Sequence, residues 1–398
     1  MARRLPIVEF IALMAMLFSM VAFAIDAMLP GLPEIASELT PHSPNQAQLV
    51  ITAFMFGMGA GTFLAGPLAD AYGRRFITNL GILVFAIGAL MAYLAPTLEL
   101  LLAARLLQGV GVAGPRIAPL AMVRDIYEGR KMAQITSFIT MVFMLVPAAA
   151  PSVGALIMDQ WNWRGIFLAF IVFAAIAAIW LNLRQDETLA IADRRPFSFK
   201  VLQSGFVEIV TNRSVVIYTA IMTLAFSTLI AQLSSTQQIY DLTFGRQESF
   251  PLWFALTALF AVPATFLNAM LVVRVGMRRM AMFAFGMQAV VSLGIALIFL
   301  IGQFPWATLF PVWFIWSTAN LFTAGLTLGN LQALALQPLG HIAGFGASVT
   351  IASSTILAVF IGGPIGLLFN GTPVPLVICV GILATLAWAM IRRLTQEL

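Results

Sequence analysis

Apolar residues fill this chain in blocks of about 18 to 26, each long enough to cross the ~30 Å hydrocarbon layer as a helix. Short polar turns separate them, and no β pattern or soluble domain competes. The blocks fall at 6–33, 46–69, 76–95, 98–123, 132–157 and 164–183, then at 214–236, 250–273, 280–301, 306–331, 343–368 and 374–391. Between the two sets, 184–213 carries Arg184, Asp186, Glu187, Asp193, Arg194, Arg195, Pro196 and Lys200, the longest polar stretch in the chain. The pattern predicts an all-α membrane protein with twelve transmembrane helices. Its halves are 1–183 and 214–398, with 184–213 as the linker.

Composition agrees: 61% of the 398 residues are hydrophobic and 9% are charged, which places the chain in lipid rather than water. Cys379 is the one cysteine, so no internal disulfide forms, and His42 and His341 are too far apart in sequence to suggest a zinc site. The net charge of +5 does not indicate nucleic acid, because the basic residues cluster in the turns between spans. With the N-terminus inside, 17 of the 21 lysines and arginines lie on the cytoplasmic side, Arg164 and Arg246 lie outside, and Arg105 and Arg116 lie within a span. Both termini and the linker are thereby expected to be cytoplasmic. Arg3-Arg4 followed by an apolar run and Ala22-Phe23-Ala24 imitates a secretory signal, but the run is longer than a signal core and reads as an uncleaved first span.

The ten residues Gly66-Pro-Leu-Ala-Asp-Ala-Tyr-Gly-Arg-Arg75 interrupt two long apolar spans. A charged turn of this kind must lie at a membrane face. Arg274-Val-Gly-Met-Arg278-Arg279 follows span eight as Asp70-Ala-Tyr-Gly-Arg-Arg75 follows span two, with Val273 in place of Asp70, a weak internal repeat. Gly109-Val-Gly-Val-Ala-Gly114 matches a dinucleotide fingerprint formally but lies inside an apolar helix, where small residues let helices approach. No GxxxxGK[ST] run exists to power ATP-driven pumping, and no cofactor is expected. Neither a nucleophile with its base nor a metal cluster supports an enzyme.

The Asp70 turn resembles the loop between the second and third spans of major facilitator transporters. Asp26-Ala-Met-Leu-Pro-Gly-Leu-Pro33, Arg105-Leu-Leu-Gln-Gly109, Arg124-Asp125, Ala150-Pro-Ser-Val-Gly154 and Trp163-Arg-Gly-Ile-Phe167 resemble the drug/proton antiporter branch related to bicyclomycin- and chloramphenicol-resistance exporters. Pro151 and Gly154 would belong to its antiporter motif, although Ala150 and Val153 stand where that motif usually has glycine. The resemblance implies the major facilitator fold, two six-helix halves that rock around a central cavity. It implies proton-coupled efflux of amphipathic small molecules or drugs across a bacterial cytoplasmic membrane, by a monomer whose partners are substrate, protons and the bilayer. Export of one endogenous metabolite, such as a siderophore, is the alternative. Asp70, Gly73, Arg74, Arg75, Arg124 and Asp125 would form a cytoplasmic conformational latch.

Individual residues carry the remaining expectations. Asp26, an ionisable group in an apolar span, must face a cavity, a partner or water. It is read as the proton carrier with Arg105 as charge neighbour, against the alternative of a solvated helix end. Arg116 returns to nearly the same face of span four eleven residues after Arg105, and Gln108 falls between them. Pro115 and Pro119 are expected to bend the helix there. Arg116 then either lines the inner cavity, or caps freed carbonyls and snorkels to headgroups. Thr228, Gln232 and Ser235 share a face of span seven, and Asn320, Thr323, Thr327 and Asn330 recur at helical spacing in span ten. These stripes line a substrate cavity or bind helices together.

Overall fold

The computed structural model describes residues 5–194, 197–301 and 305–396, so Arg3, Arg4, Arg195 and Pro196 lie outside the described residues. The regular structure is helical throughout: α1 (Ile7–Asp26), α2 (Leu32–Leu39), α3 (Leu49–Tyr72), α4 (Arg74–Tyr93), α5 (Leu98–Ile126), α6 (Gly129–Gln160), α7 (Arg164–Arg184) and α8 (Phe199–Thr211). The chain continues with α9 (Arg213–Gln238), α10 (Phe250–Ala261), α11 (Pro263–Val275), α12 (Met277–Ile301), α13 (Trp306–Leu336), α14 (Ala343–Leu367) and α15 (Val374–Gln396). Among the described residues, eleven stretches are long and apolar enough to cross a membrane, and one of them, Trp306–Leu367, runs for 62 residues. At ~1.5 Å per residue that stretch would be ~93 Å of helix. The turn Gln337–Ile342 divides it into α13 and α14, giving the twelve crossings the apolar pattern predicts.

Three local expectations are revised. The first span was expected to run to 33, but α1 stops at Asp26 and the chain passes through a tight turn, Leu29–Gly31, into α2. Pro30 and Pro33 bring no N–H to continue the ladder. Pro263 divides the eighth span between α10 and α11. The linker is not uniformly polar coil, because α8 lies within it and Asn212 then caps α9 by accepting from Ser214 and Val215 N–H at 3.1 and 3.2 Å. The α5 helix runs unbroken from Leu98 to Ile126 with Pro115 and Pro119, the prolines expected to bend it, inside. In an apolar medium a broken helix would leave backbone groups unpaired, which favours keeping the ladder on either side of each proline.

The chain forms two compact units. The first holds the residues up to Thr40 together with Ala53–Ser204, and the second holds Pro41–Thr52 together with Gly205–Leu398. In the first, a Cβ on Gly109, Gly111 or Gly114 would come within 2.1 Å of the Phe54 carbonyl, 2.3 Å of the Phe85 nitrogen or 2.6 Å of the Ile77 carbonyl. The glycine run of α5 is therefore a seam for α3 and α4. The second unit has an apolar centre of Tyr218, Met222, Phe285, Leu331, Ala387 and Ile391, contributed by α9, α12, α13 and α15. Pro41–Thr52 is tied into it by Asn45 Nδ2, which donates to the carbonyls of Leu367 at 3.1 Å and Phe369 at 2.8 Å. The internal repeat is visible in the backbone. Gly73, at φ +106°, alone joins α3 to α4, and Gly276, at φ +87°, alone joins α11 to α12.

Candidate functional site

Asp26 is the last residue of α1 and is 4% exposed. Among the described residues, no hydrogen bond or ion pair reaches its carboxyl group. Neighbouring helices hold its turn from two sides. From α5, Arg105 Nη2 donates to the Ala24 carbonyl at 3.0 Å and Nη1 to Gln108 Oε1 at 2.6 Å. The guanidinium lies 4.4 Å from the Phe54 ring centroid and 5.9 Å from that of Phe167. From α6, Gly154 approaches so closely that a Cβ would lie 2.1 Å from the Ala27 carbonyl. Of the two departures from glycine in the same helix, Ala150 is buried and Val153 is exposed. Arg105 and Asp26 are thus brought to the same turn of α1. The guanidinium nevertheless serves a carbonyl rather than the carboxylate, because the last four carbonyls of a helix lack intrahelical donors.

At the linker end of the first unit, the charged turn makes a dense network. Asp70, near the end of α3, pairs with Arg74 at the start of α4 across the Gly73 turn, and Arg74 Nε reaches Asp125 Oδ2 at 3.3 Å. The Thr188 hydroxyl donates to the same Asp125 oxygen at 2.8 Å. Glu187 sits on the N-terminus of α4, where Oε1 accepts from Arg74 N–H at 2.9 Å and Oε2 from Arg75 N–H at 3.0 Å. Oε1 also accepts from the N–H groups of Thr188 at 3.0 Å and Leu189 at 3.1 Å. Gly73 admits this carboxylate, since a Cβ there would lie 2.4 Å from Glu187 Oε2. Arg75 extends the network to the Asn182 carbonyl at 2.8 Å. Arg124 is exposed and joins none of these bonds.

Among the described residues, Gln108 Nε2 and Arg116 Nη1 on α5 are buried donors without a hydrogen-bond partner. In the second unit, most of the predicted polar stripe binds helix to helix. Gln232 Nε2 donates to the Ser317 carbonyl at 3.1 Å, and Asn320 Nδ2 donates to Gln232 Oε1 at 2.7 Å and to the Thr228 carbonyl at 3.4 Å. The Thr228 and Thr327 hydroxyls donate to carbonyls of their own helices at 2.8 Å, and Asn330 bonds Asn268 at 2.6 Å. The Ser235 hydroxyl is buried without a partner. Thr323 differs, because it lines a cavity of about 420 Å³ with Phe260, Phe283, Met287, Gln288 and Phe314. Its hydroxyl reaches Gln288 Oε1 at 3.3 Å.

Residues 11–363 match the family model described as Major Facilitator Superfamily. The chain belongs to the Major Facilitator Superfamily. It is therefore a multi-pass membrane transporter and not an enzyme. It is 26% identical over 373 residues to the bicyclomycin resistance protein homolog of Haemophilus influenzae, an alignment covering 94% of this chain and 92% of that one. It is 30% identical over 214 residues to multidrug resistance protein MdtL of Salmonella typhimurium, covering 53% of each. The crystal structure of a D-xylose–proton symporter superposes with a TM-score of 0.76 at 13% identity, covering 96% of this chain and 97% of that one, a likeness of fold alone.

Within this superfamily member, sequence reading had passed over Glu187 and Thr188 as linker polarity. No local signal announces Glu187, because it caps the start of α4 from more than a hundred residues away in sequence. Sequence reading had also passed over Glu9. Glu9 takes a two-pronged bond from Arg184 at 2.7 Å on each oxygen and accepts from Trp180 Nε1 at 3.2 Å, tying α1 to α7. Nothing in the spacing of residues 9, 180 and 184 announces that contact.

Proposed function

We propose that this transporter expels amphipathic small molecules in exchange for protons, working as a monomer in a bacterial cytoplasmic membrane with both termini cytoplasmic. The observation that carries the proposal is Asp26, buried at the end of a transmembrane helix with no counter-ion. Such a carboxyl gains and loses a proton without a salt bridge having to break, as a proton carrier in a membrane requires. Arg105 and Gly154 fix the turn that carries it, so a proton or a substrate arriving there meets a preset position. Substrate and proton compete for that neighbourhood. Binding of one lowers occupancy by the other, and the coupling is a shift between populations. The names of the bicyclomycin-resistance and multidrug-resistance relatives support drugs as the substrate class. The test is transport in proteoliposomes with an imposed pH gradient. Asp26→Asn is expected to abolish gradient-driven movement while substrate exchange without a gradient persists. Gradient-driven transport at the parent rate in Asp26→Asn would refute the assignment.

A further inference from the structure

Arg116 is the charged group on α5 that the network around Asp26 leaves unused. Arg105 donates to a carbonyl and a glutamine and packs against two aromatic rings, whereas Arg116 Nη1 is buried and donates to nothing. No ion pair among the described residues includes Arg116. The arginines paired in the first unit are Arg74, Arg164 and Arg184, with Asp70 and Asp125, Glu38, and Glu9 respectively. A buried guanidinium with an idle donor is costly unless something completes it.

Two structural roles that would complete it are not realised. Pro115 and Pro119 withhold the donors due to the carbonyls of Gly111 and Pro115. Arg116 makes a hydrogen bond to neither. Snorkelling would carry the guanidinium toward headgroups, yet Arg116 lies ten residues before Ile126, ~15 Å of helix, with Nη1 buried. The face it occupies is approachable, however. Gly109, Val112, Pro115 and Pro119 are buried, while Arg116 and Leu120 keep part of their surface accessible and Arg124 is exposed. These last three follow one another at four-residue steps, making an approach from the linker end of α5 up to Arg116.

We infer that Arg116 receives an acidic group on the transported molecule, so that carboxylate-bearing amphiphiles are the preferred substrate class. This rests on the efflux reading above. A guanidinium presents its donors as a planar fork that matches a carboxylate at two points, and it holds its charge inside the protein. Arg105 and Arg116 are eleven residues apart on α5, ~16 Å. An acid held at Arg116 is therefore well removed from the α1 turn that Arg105 holds, so the part of the substrate that competes with the proton near Asp26 is its apolar remainder. The apolar remainder of the substrate lies along the helix between them.

The test uses purified full-length protein titrated with dansylglycine and with its methyl ester, which share an apolar body and differ in the acid. The parent is expected to prefer the acid. In Arg116→Gln the acid should weaken by about 10- to 100-fold while the ester is unchanged, and Arg116→Lys should keep part of the preference. Equal affinity of the parent for both probes would overturn the inference. So would an equal fall for both in Arg116→Gln with a lower melting temperature, which would leave a structural role only. Gradient-driven transport in proteoliposomes separates the two proposals. An acid preference in binding with no proton-driven transport of either probe sinks the efflux reading and leaves the Arg116 site standing, whereas transport of both without preference does the reverse.

Discussion

Gly154 and Arg105 act on one turn of α1 by opposite means, the first by taking up almost no space and the second by supplying a donor. A methyl group at residue 154 would meet the Ala27 carbonyl at 2.1 Å, far inside contact distance, and that atom is backbone that cannot rotate away. Gly154→Ala is accordingly expected to lower stability by about 1–3 kcal/mol, the usual range for overpacking, and to depress transport with it. A melting curve and a transport rate both matching the parent would show that α6 shifts freely and that its fit to α1 is unimportant. Arg105→Lys is expected to lose transport although charge is retained. A compact ammonium cannot reproduce the fork that serves the Ala24 carbonyl and Gln108 together. Transport assayed in parallel with Arg105→Gln checks this, and full activity of the lysine variant would mean that charge alone suffices.

Among the helices, α4 depends on a residue outside itself. Its first two N–H groups point at Glu187, which comes from the linker more than a hundred residues later in the chain. This is a capping interaction made through tertiary structure, and Glu187→Ala should cost about 0.5–2 kcal/mol, the range for loss of a local cap. Glu187→Gln should recover part of it, because an amide oxygen still accepts. Thermal unfolding of the two variants checks the order, and equal melting of both with the parent would show that the Glu187 cap does not stabilise α4. The α9–α13 pair makes a different demand. Asn320 bonds Gln232 and the Thr228 carbonyl, so Asn320→Ala should lower stability by about 0.6–1.7 kcal/mol and leave the relative ranking of substrates unchanged. A selective change for one substrate would instead place Asn320 against the transported molecule.

Across the full chain, an even number of crossings would place both termini and the linker after the sixth span on one face of the membrane, which the proposed topology takes as cytoplasmic. The described surface suits lipid, with Leu156, Phe266 and Val290 all more than half exposed on helices of crossing length. Loop charge supports that proposal, because 17 of 21 basic residues would then fall on the side of the termini and the linker. A cysteine placed at Lys200 in a Cys379→Ser background should resist a membrane-impermeant maleimide in intact cells and react once the cells are opened. A cysteine placed at Glu248, in the loop after the seventh span, should react in both. The reverse pattern would invert the topology.

The twelve spans and the family were legible in the sequence, because transmembrane length and the lack of water fix helices almost without reference to neighbours. Asp26, Arg105, Gly154 and the Asp70 turn stand out as candidates, since charge in an apolar run and glycine beside proline are local features. The partners were not legible. That Arg105 holds a carbonyl while the Asp26 carboxyl stays unpaired, that Glu187 caps a helix begun at Arg74, and that Gln232 bonds Asn320 while Arg116 Nη1 bonds nothing all depend on which helix faces came together. A polar stripe with neighbours and one without read alike along the chain. Only packing separates them, because a buried donor is satisfied or left idle by atoms distant in sequence.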